Sequence, residues 1–140
     1  DMKLLFCRSR LPGSYAIRAL TFSEWSHVAL VLDHGVAIEA TWPRVRAVPV
    51  EEVVARHSAH AIATLPGSRD TIAVSAFALA QCGKRYDLSA LFGLLAQRDW
   101  QTDDAWFCSE LVAAAANAGG ERLFRSASRV TPQMLWELTQ

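Results

Sequence analysis

Three cysteines and four histidines are the residues of this chain best suited to nucleophilic or acid–base chemistry near neutral pH, and their positions separate them. Cys108 opens a stretch, Cys108-Ser109-Glu110-Leu111-Val112-Ala113-Ala114-Ala115, that reads as a helix, after a loop over 99–107 carrying Trp100, Asp103, Asp104 and Trp106. A thiol at a helix start faces unsatisfied backbone N–H groups and the positive end of the helix dipole, which favour thiolate over thiol. The same amides can donate to an oxyanion. Cys108 is therefore the candidate nucleophile. Cys7 lies within an apolar run and Cys82 at the end of an alanine-rich helical stretch, positions where a cysteine is usually a small buried hydrophobe.

A thiolate needs a base or a cation beside it. His34 falls in a hairpin loop, and His57 and His60 flank a Ser-Ala turn and read as surface or edge residues. His27 begins a strand directly after Trp25-Ser26. A histidine there is more often structural than catalytic, so the case rests on its neighbour across the hairpin. If Asp33-His34-Gly35 forms a three-residue loop with Gly35 left-handed, Leu32 pairs with Val36 and Ala29 with Glu39. Glu39 then shares a face with His27, diagonal to it and within reach of an imidazole N–H. A two-residue His34-Gly35 turn would instead turn Glu39 to the opposite face. The loop length decides whether the carboxylate belongs to the site.

The elements that must hold these residues follow from pattern. Residues 4–7 form a short apolar strand, and 27–32 and 36–41 form the hairpin. Residues 45–50 and 59–65 read as further strands around a short helix near 51–56, and a helix-like stretch covers 15–20. After the Pro66-Gly67-Ser68 turn the period changes. Helices are expected over 70–81, with apolar Ile72, Phe77 and Leu79 and a stop at Gly83, then over 88–96 and 108–117. Thr131-Pro132 supplies an N-cap and a first-turn proline for a last helix through Leu138. Strands dominate the first half and helices the second, which is α+β rather than a doubly wound alternation.

Composition sets limits on all of this. The chain has 140 residues, 51% of them hydrophobic, which suits one globular domain and excludes disorder. The 14 Lys+Arg and 14 Asp+Glu cancel, which argues against a nucleic-acid partner held by a basic face. No apolar run approaches the roughly 20 residues needed for a transmembrane helix. Three cysteines cannot all pair, and with no C-x-x-C pair and no zinc-finger histidine spacing, structural zinc is not expected. The residues at the amino terminus are too short an apolar run for a signal peptide, which favours the cytoplasm, with export after removal of a leader left open.

Taken in order, Ser26-His27-Val28-Ala29-Leu30-Val31, Ile38-Glu39-Ala40, Lys84-Arg85-Tyr86-Asp87, Trp106-Phe107-Cys108-Ser109-Glu110-Leu111-Val112 and Thr131-Pro132 resemble the circularly permuted branch of the NlpC-type papain-like superfamily, the YiiX-like proteins. In unpermuted members the cysteine precedes the histidine; here His27 comes first. The related lecithin:retinol acyltransferase-like enzymes carry a second histidine where this chain has Glu39, so the resemblance tilts toward amide hydrolysis.

The resemblance implies a papain-like α+β fold in which an antiparallel sheet packs against the helix of Cys108. It implies Cys108 as nucleophile, His27 as base, Glu39 as the group orienting His27, and Tyr86 as a hydroxyl toward the substrate or oxyanion. Beside that role for Tyr86 stands a plainer one, in which Asp87 caps a helix and Tyr86 packs before it. Trp25, Trp42 and Trp106 are candidates for a cleft wall, although core packing is the commoner role of tryptophan. The chemistry requires no metal or organic cofactor. The expected activity is a cysteine hydrolase of the peptidase or amidase type acting on a peptide or other amide, cell-wall peptides included. The alternatives are a lipid-acting thioesterase, phospholipase or acyltransferase, and an inactive binding module, which a buried Cys108 or a His27 turned away would favour. Oligomeric state is not legible.

Overall fold

A computed structural model describes residues 2–10, 24–67, 69–86, 105–106 (backbone only), 108–120 and 130–140. The helices expected over 15–20 and 88–96, most of the loop over 99–107, and Trp100 and Asp87 lie outside the described residues.

The apolar run at the start becomes β1 (Met2–Arg8), an inner strand buried on both faces because Leu4 and Phe6 pack into one core cluster and Leu5 and Cys7 into another. The sheet has the order β4-β3-β2-β1-β5, with β2 (His27–Val31), β3 (Val36–Ala40), β4 (Val45–Pro49) and β5 (Ala59–Leu65), and every neighbouring pair is antiparallel. Edge strand β5 alternates half-buried and exposed positions, as a strand with one wet face should.

The hairpin between β2 and β3 closes through a 3-10 turn over Asp33–Gly35. Leu32 N–H donates to Val36 O at 2.7 Å, and Leu30 lies opposite Ile38, which is the register of the three-residue loop. Gly35 is left-handed at φ 73°, as expected, and His34 joins it at φ 63°, a conformation that costs a side-chain-bearing residue more than it costs glycine.

α1 (Val50–Ala55) and α2 (Thr71–Ala80) follow β4 and β5, with α3 (Cys108–Ala118) and α4 (Pro132–Leu138) after them. Asp70 caps α2 by accepting from the Ile72 and Ala73 amides, and the Thr131 hydroxyl caps α4 by accepting from Met134 N–H. Of the apolar residues that mark α2 in sequence, only Phe77 packs against the core, and it is half-buried. Ile72 and Leu79 are exposed, while Val74 and Ala78 face the core, because α3 packs so closely that only small side chains fit between the helices. Where they meet, a Cβ on Gly119 would lie 2.7 Å from Val74 Cγ2. A two-stranded parallel pair, β6 (Arg85–Tyr86) with β7 (Ala105–Trp106), is an element the sequence pattern does not announce.

Alternation divides the sheet into two packed faces. Leu4, Phe6, Val28, Leu30, Ile38 and Ala40 pack with Leu111, Val112 and Ala115 of α3. Leu5, Cys7, Ala29 and Ala37 form a smaller cluster beneath Val53 of α1. Each fully buried Leu or Phe contributes about 1.5–3 kcal/mol, so the first face carries most of the stability. The second holds the polar groups described next.

Candidate active site

Cys7 and His27 lie opposite each other in the β1–β2 ladder, and Glu39 and Arg46 in the β3–β4 ladder. His27, the first residue of β2, brings Nε2 to 2.8 Å from Glu39 Oε1. The two therefore share one face, as the three-residue loop requires. Glu39 is fully buried and saturated: Oε1 accepts from His27, and Oε2 accepts from Arg46 Nε at 3.2 Å and from Arg56 Nη2. Burial pushes the Glu39 carboxyl up, but hydrogen bonds from His27 and Arg56, with their charges, outweigh it and hold the pKa at about 2.

The Cys108 side chain lies close enough to the imidazole to favour its protonated form. Burial pushes the His27 pKa down, and Cys108 and Glu39 overcome this and lift it to about 9. Its helix packs on the first face of the sheet while His27 belongs to the second; they meet because His27 stands at the start of its strand and Cys108 at the start of its helix. Ser109 fixes the helix start from behind by donating its hydroxyl to Val130 O. Cys108 itself is 2% exposed.

The other thiols behave as packing groups. Burial, then the Glu39 charge, pushes Cys7 to about 12, and burial also raises Cys82. Tyr86 is half-buried against the core, in register with Trp106 two residues ahead of Cys108. Trp25 is buried in an aromatic cluster, 5.2 Å from Trp136 and 6.2 Å from Phe6 between ring centroids, which is packing rather than a cleft wall. Trp42 stands 66% exposed, and Trp106 is placed by its backbone alone.

Three residues at the site were not singled out from sequence. Arg46 had a signal, because it lies directly opposite Glu39 once the β3–β4 register is drawn. Arg56 and His57 had none. His57, expected at the surface, is half-buried with its ring stacked on His27, 5.5 Å between centroids at 8°. A cavity of 540 Å³ lined by Leu32, Asp33, Ile72 and Leu79 among others lies toward the hairpin loop, at the end of β2 away from His27.

A histidine held between a helix-start thiol and a buried carboxylate, with the histidine first in the chain, is the arrangement of a permuted papain-like enzyme. The profile of the permuted papain-like amidase enzymes, the YaeF/YiiX peptidase family C92, matches residues 3–132. The chain belongs to this family. It is thereby a member of a cysteine peptidase and amidase family, with an amide as the class of substrate the family implies. Among solved structures, the metalloprotein YiiX from Escherichia coli O157:H7 is similar, with a TM-score of 0.70 and 24% identity over 87% of this chain and 67% of that one. That likeness shows the fold. No curated protein sequence matches the chain. Among the described residues, no group of three or more His, Cys, Asp or Glu is placed to hold a metal ion, and no helix is long and apolar enough to cross a membrane.

Proposed function

We propose that the chain is a cysteine amidase or peptidase in which Cys108 is the nucleophile, His27 the acid–base and Glu39 the group that orients His27. The observation that carries this reading is the imidazole of His27 bonded to Glu39 at 2.8 Å, with the Cys108 side chain near enough to raise its pKa. Glu39 occupies Nε2, which leaves Nδ1 as the nitrogen to exchange a proton with the thiol. The raised His27 pKa favours a resting imidazolium beside a thiolate. The thiolate attacks the amide carbonyl, and the charge moving to oxygen meets backbone N–H groups at the start of α3. The tetrahedral species collapses as His27 gives its proton to the departing amine, leaving a thioester on Cys108. A water, deprotonated by the now neutral His27, attacks the thioester; the acid leaves and the thiolate–imidazolium pair returns.

Tyr86 belongs to this reading as a hydroxyl toward the substrate or the oxyanion, supported by its register with the segment entering Cys108. A carboxylate rather than a second histidine at position 39 favours amides, cell-wall peptides included, over lipid esters.

The burial of Cys108, a residue 2% exposed, favours a second reading, a binding module that keeps the fold. One experiment separates these readings. Wild type and Cys108→Ala are compared on peptide amides and on acyl esters, with iodoacetamide labelling located by mass spectrometry. Amide turnover lost in the variant, with label on Cys108 and not on Cys7, supports the hydrolase. Equal turnover overturns it; no turnover with Cys108 unlabelled supports the binding module, and esters cleaved without amides support the lipid enzyme.

A further inference from the structure

The turn that follows α1 touches both members of the His27–Glu39 pair. Arg56 ends the helix and donates through Nη2 to Glu39 Oε2, and the next residue, His57, lies flat against the His27 ring. The turn is anchored from several sides. Arg56 and His57 amides donate to Val53 and Val54 carbonyls at 3.3 and 3.2 Å, and His57 Nδ1 donates to Val53 O at 2.7 Å. Ser58 donates its amide and its hydroxyl to Arg8 O at 3.0 and 3.2 Å, and Val53 is buried against the Leu5 and Cys7 face.

We propose that Arg56 and His57 are positioning residues, Arg56 fixing the carboxylate of Glu39 so that Oε1 meets His27, and His57 fixing the plane of the His27 ring toward Cys108. This rests on the assignment of Cys108, His27 and Glu39 above. The torsion that turns a carboxylate is broad and two-fold, so a single bond to His27 would leave Glu39 free to rock; Arg56, with Arg46 beside it on Oε2, removes that freedom. A bond at Nε2 likewise fixes one ring atom of His27 but not its tilt, and a parallel ring supplies the missing restraint. Burial holds the His57 pKa below its ordinary value, so its face is that of a neutral ring against the imidazolium.

The charged and titratable groups that face the His27–Glu39 pair are Cys7 on β1, Arg46 on β4 with Glu52 of α1 3.8 Å from it, Arg56 and His57 after α1, and Cys108 on α3. Arg56→Gln removes one of the two cations that hold the Glu39 carboxylate. The arginine is partly exposed, so the change is screened.

The test uses the full chain with Arg56→Gln, Arg56→Lys, His57→Ala and His57→Phe, measuring kcat and KM on an amide substrate together with melting temperature. Arg56→Gln is expected to lower kcat roughly tenfold at constant KM, with Arg56→Lys close to wild type. His57→Ala is expected to lower kcat about five- to tenfold and His57→Phe to recover most of it. Variants that lose only melting temperature, or that raise KM alone, overturn the proposal. Should Arg56→Gln not fold, Arg46→Gln, acting on the same oxygen, carries the test, and an unchanged kcat there overturns the role of the loaded carboxylate. Failure of the underlying assignment looks different: Cys108→Ala then turns over substrate like wild type, whatever the Arg56 and His57 variants do.

Discussion

Glu39→Gln isolates what the buried carboxylate does. Glutamine keeps the size of the side chain and removes its charge, so the change acts on three partners at once: His27 at 2.8 Å, Arg46 at 3.2 Å, and Arg56. The carboxyl pKa falls from an ordinary 4.5 to about 2 on folding. At about 1.4 kcal/mol per pH unit this corresponds to roughly 3 kcal/mol of stability. Because the folded pKa is depressed, that stability is present above pH 4.5 and is lost as pH falls toward 2. The two arginine side chains, 41% and 35% exposed, can turn to water in the variant, and His27 can become neutral, which keeps the cost near the lower end of what breaking a buried ion pair brings. The assay is urea unfolding at pH 7 and at pH 3. With a slope of about 1–3 kcal/mol/M, the midpoint at pH 7 should fall by about 1–3 M, and the gap to wild type should narrow steadily below pH 4.5. A gap of the same size at both pH values would mean that the variant loses packing rather than charge, and a gap under about 0.5 kcal/mol at pH 7 would mean that desolvation cancels the pair. Activity gives an independent reading. Removing a bond that raises the His27 pKa should shift the alkaline limb of kcat/KM to lower pH than in wild type and lower kcat roughly 10- to 100-fold.

The other predictions concern the rest of the frame. The pKa of His27 is raised on folding from an ordinary 6.5 to about 9, so its contribution is complete below pH 6.5 and is lost as pH rises through 9; melting temperature should decline across that window, and a flat profile would contradict the coupling. Gly119→Ala places a Cβ 2.7 Å from Val74 Cγ2 and 3.1 Å from Arg69 Cβ, and should destabilise by about 1–3 kcal/mol in denaturant unfolding, with Val74→Ala recovering part of the loss. Thr131→Ala removes the acceptor for Met134 N–H and should cost about 1 kcal/mol in the same assay, whereas Thr131→Ser should stay near wild type.

What sequence reveals about this fold is largest where a local rule has one solution. The three-residue loop around Gly35 sets the β2–β3 register and with it the side of the sheet on which Glu39 falls, and the observed pairing of Leu30 with Ile38 follows that rule. The caps at Thr131 and Pro132 work in the same way. α2 shows where such rules stop. Its existence was legible, but its buried face was not, because the large apolar residues Ile72 and Leu79 point outward and the contact with α3 is set by what fits beside Gly119. Helix length follows from the chain's own pattern; which face is buried depends on the neighbour.

The site divides along the same line. Cys108, His27 and Glu39 each stand at a position a local rule singles out: a helix start, a strand start, and the far arm of a hairpin of known loop length. Arg56 and His57 reach the same point only because six residues of α1 dock through Val53 onto the Leu5 and Cys7 face, and nothing within residues 50–57 encodes that docking direction. Charge adds a further reason. A carboxylate with no exposure cannot remain ionised on one histidine bond alone at little cost, so once Glu39 is known to be buried, cations beside it are required by electrostatics, although their addresses are not. Arg46 satisfies that requirement from the adjacent strand and Arg56 from across the fold.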